Sequence, residues 1–209
     1  MRTTGASARS RERGFSLVEI LTVVAIIGIL AAIGLPGIMG FLRNYRVRAA
    51  AQEVAGEIST ARLKAVSKNV NQGVVFVVLS PTTYRWVIED DQNPVGGLRT
   101  TRDTLANLLA DPAQAGPTRS LPGDIRFDPT GANDAGFRFN RLGSWCDPTG
   151  TTTTEPCPGL DPALTSYVIN DAAGSRVNLR RCIDPPACAI PSGITSQVIV
   201  MTGGRIRIP

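Results

Sequence analysis

The chain has 209 residues, with 22 Lys and Arg against 17 Asp and Glu, no His, four Cys and 43% hydrophobic residues. That suits one folded domain, or one with an added segment, and it excludes a disordered charged tail. Without histidine the usual base near neutral pH and the commonest metal ligand are missing, which removes Ser-His-Asp and Cys-His hydrolases and His-bearing zinc or haem sites.

Charge is concentrated at the N-terminus. Residues 1–14 hold Arg2, Arg9, Arg11 and Arg13 against Glu12, a net +3, while the remaining 195 residues carry only +2. The pI near 9.4 therefore overstates the basicity of the folded part, and any anion-binding site must rest on a local patch. After the basic leader come Gly14-Phe15-Ser16-Leu17-Val18-Glu19 and then Ile20 to Leu42, 23 residues without a charge. As a helix they would span roughly 35 Å, enough to cross a bilayer. The leading arginines place residues 1–14 in the cytoplasm and the C-terminal bulk across the inner membrane. A cleaved secretory signal would end at a small-x-small site. Here the apolar run continues past Ala31-Ala32 through Ile33, Leu35 and Ile38.

A plain membrane anchor accounts for all of this except Glu19. A carboxylate inside an apolar span is costly and usually has a partner. Cleavage between Gly14 and Phe15 would create an α-amino group four residues before it, on the same or a neighbouring subunit.

From Arg43 to about Lys68 the pattern becomes amphipathic. Val47, Ala50, Val54, Ile58, Ala61 and Ala65 recur at three- and four-residue steps, which predicts one buried helical face. Asn69, Asn71 and Gly73 supply the stop, and Gly34, Pro36, Gly37 and Gly40 mark a kink in the membrane half. Beyond Gly73, Val74–Leu79 and Tyr84–Ile88 read as a hairpin turning at Pro81-Thr82-Thr83. A short helix is expected around Asp103–Leu109. Further strands are expected at Ile125–Phe127, Phe137–Asn140, Tyr167–Asn170, Arg176–Arg180 and Gln197–Val200, with a last turn at Thr202-Gly203-Gly204 into Arg205–Ile208. Residues 147–163 and 184–193 read as loops. The predicted class is α+β, a long N-terminal helix packed on an antiparallel β-sheet. Its parts are a leader (1–14), a membrane-spanning half-helix (15–42), an amphipathic half (43–72) and a β-rich domain (73–209).

Cys146 and Cys157, and Cys182 and Cys188, each flank a Pro-containing loop. On the far side of the membrane an oxidising periplasm favours disulfides, and the two local pairings are preferred among the three that four cysteines allow. A zinc site from all four lacks the close spacing such sites favour. No metal site, cofactor or catalytic acid–base pair is identified, and an enzyme is not expected. Asp128–Asp134 is turn chemistry without the calcium-loop spacing, and Glu89-Asp90-Asp91 is a solvated loop. In Gly204-Arg205-Ile206-Arg207 the two arginines share a strand face about 6.6–7 Å apart, close to the spacing of successive phosphates. Arg176, Arg180 and Arg181 extend that patch if their strands are neighbours. An ordinary terminal hairpin has the same pattern.

Arg13-Gly14-Phe15-Ser16-Leu17-Val18-Glu19-Ile20-Leu21 resembles the type III signal of type IV pilins and type II secretion pseudopilins. Phe137–Gly143 and Val198–Arg207 resemble the C-terminal strands of the GspH/FimT group of minor pilins and pseudopilins. The resemblance implies cutting after Gly14 by a prepilin peptidase and N-methylation of Phe15. It also implies pairing of Glu19 with the α-amine of an adjacent subunit, and a helix kinked or melted near Pro36. The implied function is a minor pilin in a type IV pilus, with a type II secretion pseudopilin as the alternative. Some FimT-type minor pilins bind DNA through a C-terminal Gly-Arg-x-Arg, so duplex DNA is a further implied partner for Arg205 and Arg207, extended by Arg180 and Arg181.

Overall fold

The computed structural model describes residues 15–69, 73–88, 109–110, 115–146, 165–185 and 187–209. The leader with Gly14, the expected helix over 103–108, the acidic residues 89–91 and the loop with Cys157 lie outside them. The chain forms two compact units, one ending at Leu42 and one from Arg43 to Pro209. Helix α1 (Leu17–Lys68) supplies residues to both.

In the first unit α1 is assigned without a break through position 36. Its apolar side chains are open among the described residues: Phe15 is 78% exposed, and Leu17, Ile27, Leu30 and Ile33 are likewise exposed. Such a surface is stable in lipid or against other subunits, not in water. Thr22, the polar residue next after Glu19, donates its hydroxyl to the Val18 and Glu19 carbonyls at 3.0 and 2.9 Å, which satisfies it within the helix.

In the second unit the helix covers two sheets. All six stripe residues are buried, with Ala51 beside them. Small residues at 50, 51, 61 and 65 let the backbone lie close on the strands, and Val54 and Ile58 fill the centre. The helix stops where Asn69 turns left-handed (φ 50), a conformation asparagine tolerates better than most side chains. The last turn thus falls at Lys68, where the amphipathic pattern was expected to stop.

The strands are β1 (Val74–Val78), β2 (Thr83–Ile88), β3 (Arg119–Ser120), β4 (Ile125–Phe127), β5 (Gly136–Phe139), β6 (Trp145–Cys146), β7 (Val168–Asp171), β8 (Gly174–Cys182), β9 (Pro191–Met201) and β10 (Ile206–Arg207). They form not one sheet but two, ordered β3-β2-β1-β5-β6 and β10-β9-β8-β4, with β7 also on β8. The β1–β2 hairpin pairs antiparallel, Val74 opposite Ile88. Every residue of β1 is buried. Val74, Phe76 and Val78 enter the helix-covered core, while Val75 and Val77 join Val87 and Ala135 in a second cluster on the other face. A strand covered on both faces reads as an unbroken apolar run.

The expected loop over 184–193 is shorter than predicted, because β9 begins at Pro191. Pro191 lies opposite Cys182, and β10 pairs only with Ile199 and Val200. The outer side of β9 is therefore an open edge at this end, where a residue without an N–H loses nothing.

A buried polar chain ties the sheets together. The Trp145 indole N–H donates to Ser175 Oγ at 2.6 Å, and the Ser175 hydroxyl donates to Asn170 Oδ1 at 2.5 Å. Asn170 Nδ2 donates in turn to the Gly136 carbonyl at 3.0 Å and to Asp134 Oδ2 at 3.2 Å. The path runs from β6 to β8 and β7 and back to β5. Asn170→Leu would strand a buried hydroxyl and a buried carbonyl together. It is expected to cost about 2–4 kcal/mol in chemical denaturation of the full chain.

Candidate functional site

Two regions carry the residues singled out by sequence. At the N-terminal end, the Ser16 carbonyl accepts the amides of Glu19 (3.0 Å) and Ile20 (3.2 Å), so Ser16 stands at the N-cap position of α1 and Glu19 in its first turn. Ser-x-x-Glu is the spacing of a capping box, and the helix dipole favours a carboxylate there. The sequence reading missed this. Glu19 is suited to the helix start whether or not another subunit supplies a cation. Phe15 and Glu19 are both exposed. Leu17–Leu35 is long and apolar enough to cross a membrane.

The other region is the face of the second sheet turned away from the helix. Along β8, buried Val177 and Leu179 alternate with half-buried Arg176, Asn178 and Arg180. Arg180 lies across from Arg126 on β4 and Thr195 on β9. Arg176 lies across from Ile199, which lies across from Arg207 on β10. Residues directly opposite share a face, so Arg126, Arg176, Arg180 and Arg207 form one basic surface. Arg205 is exposed two residues before Arg207, and its carbonyl accepts the Met201 amide at 2.9 Å.

The arginines differ in their company. Arg180 approaches Asp128 at 3.5 Å and Arg176 is ion-paired with Asp171. Arg205 and Arg207 have no ion pair among the described residues. Arg181 does not join this face. It lies across from buried Ile125, and its Nε donates to Asp124 Oδ2 at 3.1 Å. A register irregularity between Arg180 and Cys182 interrupts the pairing with β9 here, and the Asp124 contact engages Arg181 on the β4 side.

Gly204 is explained by packing. It is buried, with φ +75, and a Cβ there would overlap the Gly143 carbonyl oxygen, which accepts the Arg62 Nε–H at 2.9 Å. The glycine of Gly-Arg-Ile-Arg thus seats the terminal turn against Gly143, beneath the helix. Arg138, on β5, is buried among the strands of the first sheet. Burial pushes its guanidinium down to about 10, still cationic at neutral pH.

Cys182 and Cys188 are joined, with Cα atoms 4.9 Å apart. Cys146 is disulfide-bonded as well. Among the described residues no group of three or more His, Cys, Asp or Glu is placed to hold a metal ion.

Residues 9–35 match the family described as the prokaryotic N-terminal methylation motif, and residues 50–156 match that described as type II transport protein GspH. A type IV major fimbrial protein, FimA of Dichelobacter nodosus, is 36% identical over 69 residues, 33% of this chain and 44% of that protein. The chain thus matches less than half the length of that relative. No solved structure matches it.

Proposed function

This chain belongs to the GspH family, the pilin and pseudopilin subunits held in a membrane by an apolar N-terminal helix, and we propose that it is a minor pilin of a type IV pilus. In this reading a prepilin peptidase removes residues 1–14 on the cytoplasmic side. Phe15 becomes the methylated N-terminus, and the unit from Arg43 onward resides in the periplasm until the chain enters a filament. Its work is assembly rather than catalysis. The observation that carries the reading is the apolar segment from Phe15 to Leu42, helical from Leu17, exposed among the described residues and bearing one carboxylate in the first turn. Neighbouring subunits would supply the missing cover, and the α-amine of one of them would meet Glu19 in a low-dielectric surround.

A deletion strain scored for twitching, transformation and protein secretion tests the choice of machine. Loss of twitching or transformation with secretion intact is the expected result. Lost secretion with normal twitching and transformation would assign the chain to a type II secretion pseudopilus instead.

The basic face of the second sheet favours a second reading, in which the pilin also binds duplex DNA. Its support is Arg205 and Arg207, exposed and without an ion pair among the described residues, beside Arg176 and Arg180 on the same surface. Binding by phosphate contact is independent of sequence and falls with salt. The double variant Arg205→Gln/Arg207→Gln is expected to weaken binding alike on all duplexes. It should also lower the slope of log affinity against log salt by about one per lost contact. An unchanged slope would remove these two residues from the role.

A further inference from the structure

The hairpin tip between β8 and β9 is built unlike an ordinary solvent loop. Ile183 and Ile190 sit side by side, joined by an amide-to-carbonyl bond of 3.1 Å, and are 58% and 55% exposed. Pro185, Ala187, Ala189 and Pro191 around them are exposed too. The one charged side chain from 183 to 191, Asp184, is turned into its own loop and accepts the Ala189 and Ile190 amides at 3.1 and 3.0 Å. The Cys182–Cys188 disulfide closes the base. The described residues of this tip thus form a small apolar knob tied by the disulfide and the Asp184 bonds, which limits the conformational freedom they lose on docking.

The ion pairs show which end of the domain carries it. The Cys182 amide donates to the Asp124 carbonyl at 2.8 Å. The Asp124 carboxylate meets Arg181 at 3.1 Å and Arg46 of α1 at 3.9 Å. The opposite end of the sheet is marked by Gly204, which packs against Gly143 and Arg62, four helical turns further on. The knob therefore stands level with the first turns of the domain's helix, where Arg43, Tyr45, Arg46 and Arg48 are all exposed. Arg43 directly follows the apolar segment in the chain. Three arginines on the exit side of a span run against the positive-inside rule. The carboxylate that Arg46 approaches, Asp124, is already engaged by Arg181.

We propose that this end of the domain is a foot for an anionic lipid surface. Ile183 and Ile190 enter the boundary between headgroups and acyl chains, while Arg43, Arg46 and Arg48 meet lipid phosphates. The foot belongs to the membrane-held form and is given up on entry into a filament. The inference rests on the membrane-anchor reading.

The test uses the full chain in nanodiscs of phosphatidylethanolamine with phosphatidylglycerol, or of phosphatidylcholine alone, with isoleucine methyl groups observed by NMR. With a nitroxide on the lipid headgroup, the Ile183 and Ile190 methyls are expected to broaden in the anionic discs while buried Ile58 does not. The broadening should be lost in phosphatidylcholine discs and when Arg43, Arg46 and Arg48 are all changed to Gln. A separate acyl-chain nitroxide reports Ile26 and Ile29 in the span. If these respond while Ile183 and Ile190 stay sharp in the anionic discs, the foot is wrong and the anchor stands. If Ile26 and Ile29 also fail to respond, the anchor fails and the foot with it. Signals of Ile183 and Ile190 that change only with protein density in nitroxide-free discs would make the knob a protein contact and overturn the lipid assignment.

Discussion

Glu19→Gln is expected to lower incorporation into filaments about a hundredfold while leaving the start of the helix intact. Removing one partner of an ion pair buried away from water costs about 3–5 kcal/mol, because the other charge is left uncompensated, and 1.4 kcal/mol is a factor of ten. Glutamine isolates that loss. Ser16 and residue 19 stand at capping-box spacing, and Gln serves that motif as Glu does. Only the charge and its interaction with the helix dipole are lost, and the dipole accounts for about 0.3–1 kcal/mol. Glu19→Ala removes the charge and the rest of the polar side chain at that capping-box position, so its defect should be at least as large. Quantitative immunoblotting of sheared filaments against membrane-held protein measures the effect. Normal incorporation of the Gln variant would mean that Glu19 serves the helix start alone.

The second large effect is expected at Gly204. Its φ of +75 disfavours any branched side chain, and a Cβ would overlap the Gly143 carbonyl oxygen. Backbone strain of this kind costs about 1–3 kcal/mol. Displacing the Gly143 carbonyl also breaks its bond from Arg62, which to a charged donor contributes about 1.5–3 kcal/mol. Gly204→Val should therefore destabilise the domain by about 3 kcal/mol or more in denaturant unfolding. Gly203→Val is the control, since a Cβ there meets nothing within 4 Å, and it should cost about 1 kcal/mol or less. Equal costs at the two positions would show that the turn is not seated as described. The same pair bears on DNA binding, because a loss seen in Gly204→Val would report the fold and not a phosphate contact.

Periodicity made the helix legible. Six positions from Val47 to Ala65 were assigned to one face by spacing alone, and all six are buried, because a helix that covers a sheet must repeat its apolar residues every three or four steps. The β1–β2 hairpin was legible for a related reason, an unbroken β-branched run followed by a turn. The division into two sheets was not, since strand partnership is fixed by long-range pairing that local pattern does not encode. β4 leaves its sequence neighbours to pair with β8. β3 and β6, two residues each, have no period to read.

Within the candidate site, the outward direction of Arg205 and Arg207 and the inward lean of Ile206 and Ile208 followed from alternation. The Asp124 partner of Arg181 was not legible, because Asp124 and Arg181 lie 57 residues apart in the chain and meet only through the pairing of β4 with β8. Asn170 and Ser175 escaped notice because polar residues in strands ordinarily face water. Here they are buried with partners on the facing sheet. Arg138 escaped because the first sheet is covered on both faces, a fact set by the valines at 75, 77 and 87, which cluster with Ala135 on the face that alternation alone assigns to solvent.

The most direct test of the account is the mass of the mature polypeptide. Intact and N-terminal peptide mass spectrometry of protein from membranes and from filaments should show a chain beginning at Phe15 and carrying one added methyl group, with residues 1–14 gone. A chain that keeps its arginine-rich leader, or that begins at any other residue, would contradict it.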